Sequence, residues 1–369
     1  MIRAFIVMKI EHFKWITQLI EYLNNNLIIA HYCGFDIAQK LPAYSSFDRF
    51  IENFSHQQLD AIMTSLVRRL QSLDVISSDF VGIDSMPLFA NTKFNNPNAF
   101  FHKSDSKTPA SDNDCRLGAH AASNALSKPK VYFYYGYKEH VAVDCSSGLP
   151  IASITTPADI HDSKAAISLL TKANAAIPLY GGKLLADKGY DIKNIYNTAH
   201  DTFAMSPYIP LNKRNTKKNV FSNGRLLCQA GLIMNKDGTS HNNGCVRQRF
   251  YCPLRFSKER DCPCKNPKFY NGRKRRGCQQ WVTLPSDLRL SIDRACHNFK
   301  ITYKRRTWCE RYNSRFKASG NARLWVRSMD AVANMNILTH VALLAVALCA
   351  VLNNRLKDMK CIQALKRSA

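Results

Sequence analysis

The order of strand-like and helix-like patterns is the feature that most constrains this chain. Five short segments are apolar or alternate between apolar and polar residues, as half-buried strands do. They are 80–84 (FVGID), 130–144 (KVYFYYGYKEHVAVD), 149–156 (LPIASITT), 183–187 (KLLAD) and 202–210 (TFAMSPYIP). Helical patterns separate the third strand from the fourth and the fourth from the fifth. We therefore expect an α/β domain whose mixed five-stranded sheet is flanked by helices.

Three strands, helix, strand, helix, strand is the order of the RNase H-like fold, and a further helix carrying Glu310 follows later. The first three strands should be antiparallel, with tight turns at Gly136 and at Ser147–Gly148. In the helix after the third strand, Asp162 or Ser163 can act as the N-cap. His161 precedes them, and we favour capping over a direct role of the His161-Asp162 pair in an active site.

The other segments frame this domain. Residues 1–75 have apolar residues at helical spacing and predict a helical N-terminal region, which either contacts DNA as a helix-turn-helix or only packs. Residues 212–300 break the strand pattern and read as a cysteine-rich basic insertion. The insertion divides the RNase H-like domain into 76–211 and 301–352, and a basic tail, 353–369, follows.

The charge points to a polyanionic partner. The 369 residues carry a formal net charge of +25, and nucleic acid is the partner that such an excess favours. Thirteen cysteines without a convincing signal peptide favour reduced thiols in a cytoplasm. The apolar stretch 341–352 is shorter than the about 20 residues that span a bilayer, so we expect a buried helix and no membrane partner.

Three carboxylates are candidates for chemistry. Asp84 and Asp187 follow apolar strand segments, where side chains from neighbouring strands can share a cleft, although turn or capping roles are commoner for such residues. Glu310 lies in the basic stretch 303–317 (YKRRTWCERYNSRFK). Helical spacing places an aromatic face there, Trp308, Tyr312 and Phe316, opposite a polar face, Tyr303, Arg306, Glu310, Asn313, Ser314 and Lys317. The simpler alternative is a surface ion pair between Arg306 and Glu310.

The spacing Tyr-x2-Arg-x3-Glu-x6-Lys is met by Tyr303, Arg306, Glu310 and Lys317. Four other segments accompany it: IDSMP at Asp84, YYGYKEHVAVD, TTPADIHDS, and LLADKGYD at Asp187. With these motifs, about residues 76–350 resemble the DDE-type transposases of bacterial insertion sequences, apart from the insertion, which has no counterpart.

This resemblance implies a set of functional expectations. Asp84, Asp187 and Glu310 would be catalytic and would hold two Mg²⁺ (or Mn²⁺) ions about 3.5–4 Å apart. The enzyme would cut DNA at the ends of its element and join the freed 3′-hydroxyl to target DNA. Arg306 and Lys317 would contact phosphates, and Tyr303 would help to position the DNA end.

The resemblance also implies partners and a location. The DNA partners would be the element's terminal inverted repeats and the target DNA, with at least a dimer in the synaptic complex. We expect a bacterial cytoplasmic protein that is associated with the nucleoid when bound to DNA.

Two features of the insertion are open. A structural zinc site could use Cys245, Cys252, Cys262, Cys264 and Cys278, but their spacing lacks the usual Cys-x2-Cys, so buried thiols are an equal alternative. The basic run Arg273, Lys274, Arg275 and Arg276 adds to an expected phosphate-binding surface. For the whole chain, the alternatives to a transposase are a nuclease of the same fold that does not join ends, and a non-catalytic, domesticated DNA-binding protein.

Overall fold

The structure is a computed structural model. It describes residues 1–95, 108–122, 130–212, 225–228, 230–242, 245–256, 279–283 and 288–361.

The main sheet has six strands in the described part of the chain. They are β1 (Phe80–Phe89), β2 (Arg116–Ala122), β3 (Lys130–Asp144), β4 (Leu149–Pro157), β5 (Lys183–Leu185) and β6 (Ser206–Tyr208). Strand β3 pairs antiparallel with β1, β2 and β4, whereas β5 pairs parallel with β1 and β6. Strands β4, β3, β1, β5 and β6 are therefore the predicted mixed five-stranded sheet, and the RNase H-like fold is confirmed.

Strand β2 was not predicted, and it changes how β3 is used. The first half of β3 pairs with β2 and the second half with β1 and β4. Gly136 is where these pairings meet, so the turn expected there is wrong. A Cβ atom at Gly136 would lie 2.0 Å from the carbonyl oxygen of Leu88, so only glycine lets β1 approach this closely. The turn at Ser147–Gly148 is present, with Gly148 at φ +73°.

The helices lie around this sheet. They are α1 (Ile2–Ile10), α2 (Ile16–Asn25), α3 (Leu27–Tyr32), α4 (Tyr44–Asn53), α5 (His56–Gln71), α6 (Asp162–Ala176), α7 (Lys193–Asn197), α8 (Leu288–Ser291), α9 (His297–Lys304), α10 (Thr307–Phe316) and α11 (Met329–Leu352). Helices α1, α4 and α5 pack on α11, which packs on β4. Phe5, Phe47 and Met63 therefore belong to the same continuous core as the sheet.

Helix α11 is the apolar segment noted in the sequence. By length and composition alone it could cross a membrane, but 72% of its most apolar stretch is buried inside the protein. Four polar side chains are buried along it, Asn334, Asn336, Thr339 and His340. Their hydrogen bonds reach α4, β3, β4 and α10, so this helix is tied to its neighbours by polar contacts as well as apolar ones.

The N-cap of α6 differs from the prediction. His161 is the capping residue, and its Nδ1 accepts a hydrogen bond from the backbone N–H of Ser163. Asp162 is in the first turn, where its carboxylate accepts from Lys138 Nζ at 2.9 Å. A negative charge in the first turn is also favoured by the helix dipole. Asp162 therefore bonds with Lys138 on β3 and with Ser85 on β1 instead of capping its own helix.

Part of the insertion forms a second, three-stranded antiparallel sheet. Its strands are β7 (Asn235–Asn242), β8 (Cys245–Tyr251) and β9 (Gln279–Thr283). A small core of its own contains Leu226, Cys228, Met234, Phe250 and Cys252. Two of the insertion's cysteines, Cys228 and Cys252, are buried in this core. The candidate zinc ligands Cys262, Cys264 and Cys278 and the basic run 273–276 lie outside the described residues, and Cys245 is described only in its backbone.

Candidate carboxylate active site

Asp84 lies at the centre of the main sheet. It is within β1, which continues to Phe89, so the expectation that it ends a strand is wrong. Its carboxylate is 17% exposed and accepts a hydrogen bond from Asn313 Nδ2 at 3.1 Å. Burial raises the pKa of Asp84 to about 6, the positive charge of Arg306 opposes that rise, and the negative charges of Asp187 and Glu310 add to it.

Asp187 lies just beyond the end of β5, the strand next to β1. Gly82 pairs with Leu185 in the parallel β1–β5 register, and each aspartate is two residues beyond its member of that pair. Asp187 follows β5, as predicted, and its Oδ1 accepts from the backbone N–H of Gly189 at 2.7 Å. This hydrogen bond fixes the carboxylate at the start of the turn Lys188–Tyr190.

Glu310 reaches the site from helix α10. That helix lies close to β1 because Gly82 has no side chain: a Cβ atom there would be 2.3 Å from Cys309 Sγ and 2.6 Å from Cys145 Sγ. Of the predicted aromatic face, Tyr312 and Phe316 are fully buried, and Trp308 is partly buried against the same core. Glu310 itself is on the opposite side, and its side chain is 59% exposed.

Arg306 joins two of the carboxylates. Its Nη2 donates to Glu310 Oε1 at 2.6 Å, and its Nη1 is 3.5 Å from Asp84 Oδ2. The ion pair of the simpler alternative is therefore present, but the same guanidinium also contacts Asp84. Within the described ranges, no three His, Cys, Asp or Glu side chains lie close enough together to hold a metal ion. The carboxylate of Glu310 bonds with Arg306 instead of pointing at the two aspartates. The three predicted ligands are therefore neighbours, but they are not arranged to bind one metal ion together.

The predicted single helix around Glu310 is two helices. Helix α9 ends at Lys304 and α10 begins at Thr307, with tight turns at Arg305 and Arg306 between them. Tyr303 is on α9, where it stacks on Phe299 with ring centroids 5.9 Å apart. The prediction of one continuous helix was therefore wrong, but the hydroxyl of Tyr303 still hydrogen-bonds with Arg306, and the charges of Asp187 and Asp84 act on it.

Lys317 lies just after α10 and is half-buried. Burial lowers the pKa of Lys317, and the charge of Asp84 acts in the opposite sense. The predicted basic neighbours of the carboxylates, Arg306 and Lys317, are thus both close enough to influence Asp84.

A buried polar network holds α10 in place behind the site. Glu139 on β3 is fully buried and pairs with His340 Nε2 at 2.9 Å, and the other ring nitrogen of His340 is 2.5 Å from the hydroxyl of Tyr312. Burial alone would raise the pKa of Glu139, but hydrogen bonds from His340 and Thr155 lower it below its usual value. Tyr312 is two residues after Glu310, so this network fixes the helix that carries the third carboxylate.

The sequence predicted only a capping role for Asp162 and no role for Asn313 or Tyr190, yet all three belong to this site. Asn313 holds its carboxylate, and Asp162, paired with Lys138, accepts a hydrogen bond from the side chain of Ser85. Tyr190, in the KGYD segment, is 1% exposed, and the charges of Asp162, Asp84 and Asp187 all act on its hydroxyl. Asn313 lies one helical turn after Glu310, a spacing that could have singled it out.

The chemistry of these side chains fits a hard divalent cation. Carboxylate and amide oxygens are the ligands that Mg²⁺ prefers. Asn313 Oδ1 and Tyr190 Oη are buried and have no hydrogen-bond partner among the described residues, although buried polar atoms are normally paired. Asp84 and Asp187, with Glu310 on release from Arg306, are the residues that would hold the ion.

Carboxylates of this kind on an RNase H-like sheet define a class of enzyme that acts on nucleic acid phosphodiesters. A family model described as "Transposase DDE domain" matches residues 115–345, and the chain belongs to that family of DNA-acting enzymes, which generally depend on a divalent metal ion. The match includes Asp187 and Glu310 and begins after Asp84.

Two solved transposase structures are similar to the chain. The piggyBac transposase synaptic complex with hairpin DNA has a TM-score of 0.36 and 9% identity, over 80% of this chain and 55% of that chain. The Mos1 transposase paired-end complex with the left transposon end has a TM-score of 0.20 and 15% identity, over 52% of each chain. The chain thus spans about half the length of these transposases. No curated protein sequence matches it.

Proposed function

We propose that this protein is an active transposase that cuts DNA at the ends of its element and joins the freed 3′-hydroxyl to target DNA. Its DNA partners would be the element's terminal inverted repeats and the target, brought together by at least two copies of the chain. This activity would take place in the bacterial cytoplasm, on nucleoid DNA.

The observation that carries the proposal is the position of Asp84 between two other acidic residues and a cation. Asp187 follows the neighbouring strand β5 at the equivalent position, and Arg306 connects Asp84 to Glu310. Burial is the main cause of the raised pKa of Asp84, and the nearby negative charges of Asp187 and Glu310 add to the cost of ionising it. Added positive charge from a divalent ion would relieve it.

Each side chain then has a distinct task. Asp84 and Asp187, with Glu310, would bind two Mg²⁺ or Mn²⁺ ions, which when bound activate the attacking oxygen and stabilise the leaving oxygen of a phosphodiester. Arg306 would be released from Glu310 and Asp84 to face the phosphate backbone. Lys317 would contact a neighbouring phosphate, and Tyr303 would pack against the DNA end.

Replacement of Glu310 by Gln tests the catalytic assignment. The substitution keeps the shape of the side chain and the buried face of α10, but it removes the charge that a divalent cation needs. We expect strand cleavage and joining in Mg²⁺ to be lost, while binding to end DNA is retained or becomes tighter. A labelled end fragment, assayed for binding, cleavage and joining with the same protein sample, gives all three results. Lys300→Gln, at an exposed position on α9, is the control and should behave like the wild type.

The same assay separates the alternatives. Cleavage without joined products would identify a nuclease of this fold, and binding without cleavage would identify a non-catalytic DNA-binding protein. Wild-type joining by Glu310→Gln would contradict the assignment, because Glu310 would then be no more than the ion-pair partner of Arg306. If the insertion binds zinc, purified protein should in addition contain about one Zn²⁺ that chelators remove.

A further inference from the structure

Two buried polar atoms at the carboxylate site have no role in the proposed chemistry so far: one is on Tyr190, three residues after Asp187, and the other is on Asn313, which contacts Asp84. One is the hydroxyl of Tyr190, in a side chain that is 1% exposed, and the other is Oδ1 of Asn313. Neither has a hydrogen-bond partner in the part of the chain that the structure describes. A buried polar atom that is left unpaired costs stability, so two such atoms at one carboxylate site suggest a ligand that pairs with them.

The orientation of the Asn313 amide is fixed by its neighbour. Its Nδ2 is 3.1 Å from Asp84 Oδ2. An ionised carboxylate only accepts hydrogen bonds, so the NH₂ group must face Asp84 and Oδ1 must face away from it. Asn313 therefore presents a pure acceptor next to the carboxylate.

The hydroxyl of Tyr190 is close enough to Asp162, Asp84 and Asp187 for their charges to act on it. A phenol ordinarily has a pKa of about 10, so this hydroxyl is protonated at neutral pH and can donate a hydrogen bond. Its backbone N–H donates to the carbonyl of Asp187 at 3.2 Å, which ties the ring to the turn that carries that carboxylate. A donor and an acceptor thus flank the Asp84–Asp187 pair.

Mg²⁺ and Mn²⁺ bound by few carboxylates keep several water ligands, and these waters both donate and accept hydrogen bonds. We propose that Tyr190 and Asn313 form the outer shell of the cation site, holding water ligands of the ion bound at Asp84 and Asp187. This inference rests on the proposed function. Water on the ion donates to Asn313 Oδ1, and the hydroxyl of Tyr190 donates to an oxygen in the same shell. Both side chains thereby position the hydrated ion without binding it directly.

The test measures Mn²⁺ binding to the full-length protein without DNA, by the electron paramagnetic resonance signal of free Mn²⁺. Tyr190→Phe removes only the unpaired hydroxyl. It should weaken Mn²⁺ binding about 10-fold, as loss of an outer-shell partner does, and leave the unfolding temperature in EDTA the same or slightly higher. The matched control is Tyr196→Phe. This tyrosine is also fully buried, but its hydroxyl bonds with Asp191 and Arg294, so its loss should lower the unfolding temperature and leave Mn²⁺ affinity unchanged.

A pair of Asn313 variants separates cation positioning from simple support of Asp84. Asn313→Leu removes both polar atoms and should weaken Mn²⁺ binding about 10-fold. Asn313→Asp keeps an oxygen on the cation side and adds a negative charge, so it should bind Mn²⁺ at least as tightly as the wild type. If Asn313 acted only by donating to Asp84, both variants would bind Mn²⁺ more weakly, and its place in the outer shell would be wrong.

The remaining outcomes are equally decisive. Wild-type Mn²⁺ affinity in Tyr190→Phe, or a fall in its unfolding temperature as large as that of Tyr196→Phe, would overturn the role of the hydroxyl. Asp84→Asn distinguishes this failure from a failure of the proposed function. If the wild type binds Mn²⁺ and Asp84→Asn does not, the carboxylate site stands and only the outer shell is wrong. If the wild type binds none, both proposals fall.

Discussion

Among single residues, Lys9 is an ionisable side chain that is buried outside the active site. It lies on α1, it is 2% exposed, and its Nζ donates to Asn321 Oδ1 at 2.5 Å. Asn321 follows the wide turn after α10 and also donates to Thr339 on α11. Burial lowers the pKa of Lys9 to about 7, so the neutral amine is favoured in the folded protein.

This shift makes stability depend on pH. Between about pH 7 and the ordinary lysine pKa, the unfolded chain holds a proton on Lys9 that the folded chain lacks, so the free energy of unfolding rises with pH in that window. The slope should approach about 1.4 kcal/mol per pH unit. Below pH 7 Lys9 is protonated in both states and contributes no slope. In Lys9→Met this contribution should vanish from denaturant unfolding measured at pH 7 to 10, whereas exposed Lys300→Met should keep it. Equal slopes in Lys9→Met and the wild type would show that Lys9 does not titrate in this window.

Charged site residues could be predicted from the sequence more readily than the neutral side chains that lie beside them. Asp187, Glu310 and Arg306 stood out because a motif or a charge contrast marked them. Tyr190 and Asn313 did not, because an unpaired buried hydroxyl or amide oxygen can be recognised only when the surrounding atoms are known. Arg306 was assigned to phosphates or to an ion pair with Glu310, and its additional contact with Asp84 could not be predicted from helical periodicity.

At the scale of secondary-structure elements, a buried ion pair joins α8 to the turn that carries Asp187. Arg289 donates to both oxygens of Asp191, at 2.6 and 2.7 Å, and the Asp191 carboxylate is fully buried. Asp191 also accepts from the backbone N–H of Asn212 and from the hydroxyl of Tyr196. Asn212 is where the chain leaves for the insertion and Arg289 is near its return, so one carboxylate anchors both ends.

Breaking this pair on one side should be costly. Arg289→Met leaves a buried carboxylate without its cation and should lower the free energy of unfolding by about 3 kcal/mol or more. Asp191→Asn combined with Arg289→Met leaves no buried charge and should be less destabilised than Arg289→Met alone. Denaturant unfolding of both single variants and the double variant gives the coupling energy. Additive effects would show that the two side chains act independently.

The order of the elements could be predicted from the sequence because each strand of the five-stranded sheet has a strong apolar or alternating pattern. Strand β2 could not, since RLGAHAA is short and rich in Ala and Gly, and its pairing with β3 alone makes it a strand. The boundary between α9 and α10 was also not predicted. The helical spacing of apolar residues continues across residues 305 and 306, although the helix itself is interrupted there.

At the scale of the whole molecule, the N-terminal helices and the sheet form one core. Helix α11 is the shared element, with α1, α4 and α5 on one side and β4 on the other. Truncation before residue 76 would therefore expose the apolar face of α11. Whether or not residues 1–75 contact DNA, their packing gives them a structural task that helical periodicity alone could not reveal.

The net charge of +25 implies DNA binding that depends strongly on salt, but not every cation contributes equally. Arg306 forms ion pairs with Asp84 and Glu310 when no divalent ion is present, so its charge is already neutralised. Lys317 is half-buried near Asp84, whose charge acts on it.

In EDTA, Lys317→Ala should therefore reduce the slope of log affinity against log salt by about one unit, the value for one lost phosphate contact. Arg306→Ala should also bind end DNA more weakly, because it uncovers two carboxylates near the phosphates, but with a slope close to that of the wild type. Fluorescence anisotropy with a labelled end fragment between low and moderate salt measures both quantities. Equal reductions of the slope in the two variants would show that Arg306 already contacts a phosphate without the ion, and that its pairing with the carboxylates does not hold it back.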